Sequence, residues 1–423
     1  MHLSTSTDRR RSGRLRAAVV TGAFMAASLL AACGSSDDGG STGGGGGDDG
    51  GGTVKIGVLA PITGELAPYG EALERGMTVA ADLINEDGGI GGKKVEWVLE
   101  DDQTDPKAAS TAARKLLTQE RVDYLMGTTS SATTLAVIPQ AERAKVPFFY
   151  VVEGESKTCD SSATGTREYV FGNGETPEQK MTEYVPWMLE NLGKRVYFIG
   201  SDYVFPHFVN DLTSKLVEEN GGTVVGTAYA PLGTSDFSSY ISEIERAKPD
   251  VIFISVVGTD GIALVKQLNQ FGLRDKVELT GMPTFAGEVL PGIADVAQDV
   301  YTVDRYWDKA DNPVNERFAA AYHAKYGEDA PIGTIAAQGA YGTLLLLQAA
   351  AEKAGTTDRE AVAKALPGVS VESPAGEITV NPDNNVVTGP IRLLQVKGDN
   401  YDEVQDLGQV PHPGHSGCSS QDA

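Results

Sequence analysis

From Val54 onward, short β-branched runs alternate with longer stretches in which apolar residues recur every three or four positions. Runs of the first kind read as buried strands, and stretches of the second kind as helices with one apolar face. The pattern predicts strands at 54–59, 94–100, 122–126 and 146–152. Helices at 71–86, 106–117 and 133–144 fall between them. Asp105-Pro106 marks one helix start, with Asp as N-cap and Pro at the first helical position. A second series opens at Thr176-Pro177-Glu178-Gln179, a capping box ahead of a helix reaching Glu190. Strands at 195–199, 223–228 and 249–256 follow, separated by helices near 207–219 and 238–246. The region 315–366 is helix-rich, and 389–396 is a last strand with no helix after it.

Strands alternating with helices of this length imply parallel sheets covered on both faces. Two such series imply an α/β chain of two doubly wound lobes. Ligands of such sheets gather beyond the carboxyl ends of the strands. Those ends are 60–69, 127–133, 150–155, 200–205, 257–260 and 281–285, and most carry hydroxyls, aromatics or single acids.

The N-terminus changes the picture. Arg9, Arg10, Arg11, Arg14 and Arg16 precede an apolar run from Ala17 to Ala32, too short to span a bilayer. Leu30-Ala31-Ala32-Cys33 closes that run and resembles a bacterial lipobox. Residues 1–32 therefore read as a lipoprotein signal peptide, and Cys33 as the lipidated N-terminus. Residues 33–53, almost wholly Gly, Ser, Thr and Asp, read as a flexible tether.

The leader holds five Arg and one Asp, leaving 30 basic against 57 acidic residues, a formal charge of about −27. Nucleic acid and anionic headgroups require a positive surface, so neither is an expected partner. With Cys33 taken by lipid, Cys159 and Cys418 remain as a pair in an oxidising compartment, and a disulfide between them is the expectation. His412, His415 and Cys418 lie close in sequence, but the surrounding Pro, Gly and Ser supply no further ligands, so no metal is expected there.

No catalytic motif is present: no Gly-x-Ser-x-Gly elbow at a strand-to-helix turn, no Gly-rich loop ending in Gly-Lys-Ser/Thr, no His-Glu-x-x-His and no Cys-x-x-Cys. Gly88-Gly89-Ile90-Gly91-Gly92 joins a helix to a strand, the wrong order for phosphate binding. His207 and His323 read as surface residues without an acid–base partner. An enzyme and a cofactor are therefore not expected. The segment 127–134 instead joins a strand to a hydroxyl-rich helix start that can hold a carboxylate or an amide carbonyl. Tyr150 and Glu153 follow the neighbouring strand. Asp202-Tyr203-Val204-Phe205-Pro206 supplies an opposing aromatic wall.

In their order, these segments resemble the type I periplasmic binding proteins of ABC importers. Residues 54–70 with Gly64-Glu65-Leu66-Ala67-Pro68-Tyr69-Gly70, the turn 88–92 and residues 101–107 are similar to the branched-chain amino acid binders. Gly200-Ser201-Asp202-Tyr203-Val204-Phe205-Pro206, residues 229–236 and Val256-Val257-Gly258-Thr259 are more similar to the urea and short-chain amide binders. Two departures from the amide branch stand out: a small hydroxyl residue near Thr129 in place of an aromatic, and Phe205 in place of tyrosine.

The resemblance implies two lobes joined by a three-crossover hinge, lobe 1 being 54–174 plus 306–384 and lobe 2 being 175–305 plus 385–423. It implies a ligand set of Tyr69, Ser131, Thr133, Tyr150, Glu153, Asp202, Tyr203 and Phe205. The function implied is capture of a small polar solute, short-chain amide or urea-like, and its delivery to ABC permease subunits by a monomeric lipoprotein held at the outer face of the cell membrane. A branched-chain or other aliphatic amino acid is the alternative solute. An extracellular ligand-sensing receptor is the alternative of another class.

Overall fold

The computed structural model describes residues 52–152 and 167–412. The predicted leader, the tether up to residue 51, Cys33, Glu153, Cys159, Cys418 and His415 lie outside the described residues, and Thr53, expected in the tether, already belongs to a strand.

The first sheet contains β1 (Thr53–Ala60), β2 (Lys94–Asp101), β3 (Tyr124–Gly127), β4 (Phe148–Tyr150) and β5 (Val170–Gly172). They lie in the order β2-β1-β3-β4-β5, all parallel. Between them run α1 (Ala67–Glu86), α2 (Pro106–Lys115) and α3 (Ser131–Ala144). Strand alternation sorts side chains to the two faces. Leu125 and Phe148 meet Ala109, Ala112, Val137 and Ile138 of α2 and α3. Ile56, Val58, Met126 and Phe149 meet Leu73, Met77 and Ala80 of α1. The Asp105 cap forms as expected, its Oδ1 accepting from the Ala108 N–H at 2.7 Å.

The second series builds α4 (Pro177–Asn191), β6 (Arg195–Ser201), α5 (Val204–Glu219), β7 (Thr223–Ala230), α6 (Ser238–Ala247), β8 (Val251–Ser255), α7 (Gly258–Gln270), β9 (Glu278–Gly281) and β10 (Tyr301–Asp304). Its strands pair in parallel in the order β7-β6-β8-β9-β10. The helices α8 (Pro313–Tyr326), α9 (Ala336–Ala354) and α10 (Arg359–Ala365) follow. Leu344 and Leu347 of α9 share the core of α1. The chain then forms β11 (Ser370–Ser373), β12 (Gly376–Val380), β13 (Val387–Lys397) and β14 (Asn400–Val410).

The second sheet is therefore mixed. Strand β13 pairs antiparallel with β10, β12 and β14. The sequence pattern anticipates β13 but neither the β11–β12 hairpin nor β14. Most side chains of β14 face solvent, so it carries little of the apolar signal on which that reading depends.

The chain passes between the sheets after β5, after β10 and before β13, and buried charge ties these passages together. The Arg305 guanidinium, 1% exposed, donates to the carbonyls of Asn173 (2.8 Å) and Val387 (3.3 Å). The Arg305 N–H donates to Glu175 Oε1 at 2.9 Å. Buried Lys180, in α4, pairs with buried Asp304. Burial alone would raise the pKa of Glu175, but Lys180 and Arg305 outweigh it and hold the carboxyl below its ordinary value.

Candidate functional site

All six strand ends converge on one narrow, nearly closed cavity between the sheets. The turn after β1 and the first turn of α1 bring Leu66 and Tyr69. The β3–α3 junction brings Thr129 and Ser131, and the end of β4 brings Val152. From the other side come Tyr203 and Phe205 after β6, Val257 after β8 and Pro283 after β9. Larger depressions along α2 and beside Glu288 are more open to solvent.

The space left inside the cavity, about 10 Å³, is far below the roughly 300–1,000 Å³ of clefts that hold drug-sized ligands, so a solute enters only when the walls move apart. Its walls are apolar and aromatic except at the β3–α3 junction. There the Thr129 hydroxyl is buried and has no hydrogen-bond partner among the described residues. Beside it, α3 begins at Ser131, and no side chain caps its N-terminus. A helix N-terminus carries partial positive charge and orphan N–H donors, so a hydroxyl next to it forms a seat for an anionic oxygen. Opposite, the Tyr69 hydroxyl donates to the Pro283 carbonyl at 3.1 Å and joins the two walls directly.

Tyr69, Ser131, Tyr203 and Phe205 are thus brought together as the sequence suggested. Three other candidates are not. Tyr150 lies on the opposite face of β4, within the α2/α3 core, where its ring runs along Gly172. Strand parity turns it away from the cavity, and Val152, two positions on, lines the wall after the chain has left β4. Thr133 is fully buried and donates to the Ser130 carbonyl at 2.9 Å, a bond internal to the helix start. Asp202 is exposed, its Oδ1 lying 2.8 Å from His207 Nε2. His207 in turn stacks on Tyr229 at 3.7 Å between ring centres, so it is not the partnerless surface residue expected.

Leu66, Thr129, Val152, Val257 and Pro283 were absent from the sequence-derived set. Each lies at or beside a strand end, which is the signal that could have found them, but four of the five are apolar and read as core.

A family model described as periplasmic binding protein matches residues 53–401. A Leu/Ile/Val-binding protein homolog 8 from Brucella abortus is 30% identical over 294 residues, covering 65% of this chain and 70% of its own length. A homolog 6 from Brucella melitensis is 26% identical over 375 residues, covering 85% and 93%. Among solved structures, an ABC transporter solute binding protein from Rhodopseudomonas palustris BisB5, in complex with 3,4-dihydroxybenzoic acid, is similar with a TM-score of 0.78 and 27% identity. That match covers 86% of this chain and 99% of the other. A leucine binding protein from Thermotoga maritima shares the fold, with a TM-score of 0.73 at 24% identity over 84% and 99% of the two chains.

Proposed function

The chain belongs to the periplasmic binding protein family, and on that premise we propose that it is the solute receptor of an ABC importer, taking a solute with a carboxylate on a compact apolar or aromatic body. One observation carries this reading: the buried Thr129 hydroxyl, without a hydrogen-bond partner among the described residues, lies beside the N-terminus of α3 in a cavity lined elsewhere mainly by apolar and aromatic side chains. A carboxylate on Thr129 and Ser131 meets the helix dipole, and its body lies among Tyr69, Tyr203, Phe205 and Val257. The family works outside the cytoplasm, and its members hand bound solute to permease subunits. Cys33 as a lipid anchor with residues 34–52 as tether would keep the receptor beside its permease; intact-mass measurement of the exported chain checks the lipid.

Relatives support a carboxylate head group from two directions, since 3,4-dihydroxybenzoic acid and the branched-chain amino acids both carry one. The amide or urea-like solute suggested by residues 200–206 fits less well. Its neutral head leaves the helix dipole unmatched, and Asp202 points to solvent. An aliphatic amino acid is the second reading. It needs an acceptor for its ammonium as well, and no acidic side chain lines the cavity among the described residues. On that reading the acceptor would be Glu153, which directly follows Val152.

A thermal-shift panel of benzoates, aliphatic amino acids, amides and ureas tests the class. Stabilisation by benzoates supports the first reading. Stabilisation by L-leucine that Glu153→Gln abolishes supports the second, and stabilisation by amides or ureas alone refutes both.

A further inference from the structure

The two walls of the cavity are joined by a backbone contact that no solute makes. The N–H of Thr259 donates to the Glu65 carbonyl at 3.3 Å. Thr259 is the second residue of α7, so this N–H is one of the orphan donors at the helix start. Glu65 lies in the turn before α1, on the other side of the cleft. The residues flanking the contact, Leu66 and Val257, both line the cavity, so the bond closes its roof.

Gly258 makes the approach possible. A Cβ built there would lie 1.9 Å from the Glu65 oxygen and 3.5 Å from Leu66 Cδ2. The first distance is far inside van der Waals contact, and the obstructing atom is backbone, which has no rotamer to move into. Gly258 also has φ +55°, in the left-handed region. Two separate demands therefore meet at this position.

We propose that Gly258 is the positioning residue for closure: by lacking a side chain it lets the α7 N-terminus latch onto the Glu65 carbonyl and seal the cavity. The latch uses no ligand atom, so the ligand-free chain reaches the closed form through it. Solute then adds to a closure the backbone already favours, which is selection of an existing state. The proposal rests on the binding role above, but its test is arranged so that the two fail separately.

Three variants divide clash from strain. Gly258→Ala introduces both. Gly258→Asn tolerates positive φ but keeps the clash, because asparagine visits the left-handed region more readily than other residues with a side chain. Gly88→Ala imposes strain alone, since Gly88 has φ +94° and no atom within 4 Å of a built Cβ. Small-angle X-ray scattering of the ligand-free chains should give a larger radius of gyration for both Gly258 variants than for the parent, with Gly88→Ala unchanged. Both Gly258 variants should also bind 4-hydroxybenzoate about tenfold more weakly or worse.

A Gly258→Asn chain with the parent's radius and affinity overturns the proposal. Hydrogen exchange of the parent protein needs no variant: slow exchange at Thr259 without ligand supports the latch, and exchange at the solvent rate overturns it. If no probe binds the parent but the scattering difference appears, the solute assignment fails and the latch stands.

Discussion

Thr129 and Asp102 are both buried oxygen-bearing side chains left short of a partner, yet they make opposite contributions. The Thr129 hydroxyl faces a cavity, where a ligand oxygen can satisfy it. Replacing it with valine keeps the volume and removes the bond, so Thr129→Val should weaken 4-hydroxybenzoate binding by about tenfold, roughly 1.4 kcal/mol, with little effect on unfolding. Calorimetric titration reads that directly. Asp102, at the end of β2, is fully buried. Its Oδ1 accepts from the Thr104 N–H at 2.9 Å, while Oδ2 has no partner among the described residues. Burial pushes its carboxyl up to about 6. The folded chain therefore holds this proton more tightly than the unfolded chain. The associated stability is fully present below about pH 4 and is lost as pH rises through about 6, on the order of 2 kcal/mol. Asp102→Asn should flatten that stretch of the stability–pH curve and stabilise the protein at pH 8, as read by urea unfolding. At this scale the candidate site is only partly legible from residue order. Tyr69, Ser131, Tyr203 and Phe205 could be found because they flank strand ends, whereas Tyr150 misled because face parity depends on where β4 stops.

Elements were more legible than side chains. The capping box at Thr176 forms with both of its bonds, from the Gln179 N–H to Thr176 Oγ1 at 3.4 Å and from the Thr176 N–H to Gln179 Oε1 at 3.0 Å. It starts α4 where the pattern placed it. Helix α5 starts at Val204, earlier than the pattern near 207 predicts, because Val204-Phe205-Pro206 resembles loop in sequence while Tyr203 takes the N-cap position. The three-residue strand β5 and the polar β14 lacked the periodicity that betrays a strand, and tertiary pairing creates both. The charges at the inter-sheet passages belong to this scale, since Lys180 sits on α4 and Asp304 closes β10. Lys180→Met leaves Asp304 buried without its cation and should cost about 3–5 kcal/mol in denaturant unfolding. Lys180→Met/Asp304→Leu should recover only part of that loss, because it removes the unpaired Asp304 charge but still leaves buried Glu175 without the Lys180 charge.

At the scale of the molecule, two sheets present six strand ends to each other across a narrow cavity, closed by backbone at Gly258–Thr259 and by Tyr69 on Pro283. The repeated strand–helix pattern made two such sheets legible before any side chain was placed, and with them the search among strand ends. It could not reveal which residues meet across the cleft, because those contacts join positions some two hundred residues apart. The proposed carboxylate head group rests on what the cavity offers: a hydroxyl without a partner among the described residues and a helix N-terminus, with apolar and aromatic walls elsewhere. Titration calorimetry comparing 4-hydroxybenzoate with 4-hydroxybenzamide, which have nearly the same shape and differ in charge at the head group, tests this most directly. The carboxylate should bind at least about tenfold more tightly; equal or tighter binding of the amide rules out a site built for a carboxylate.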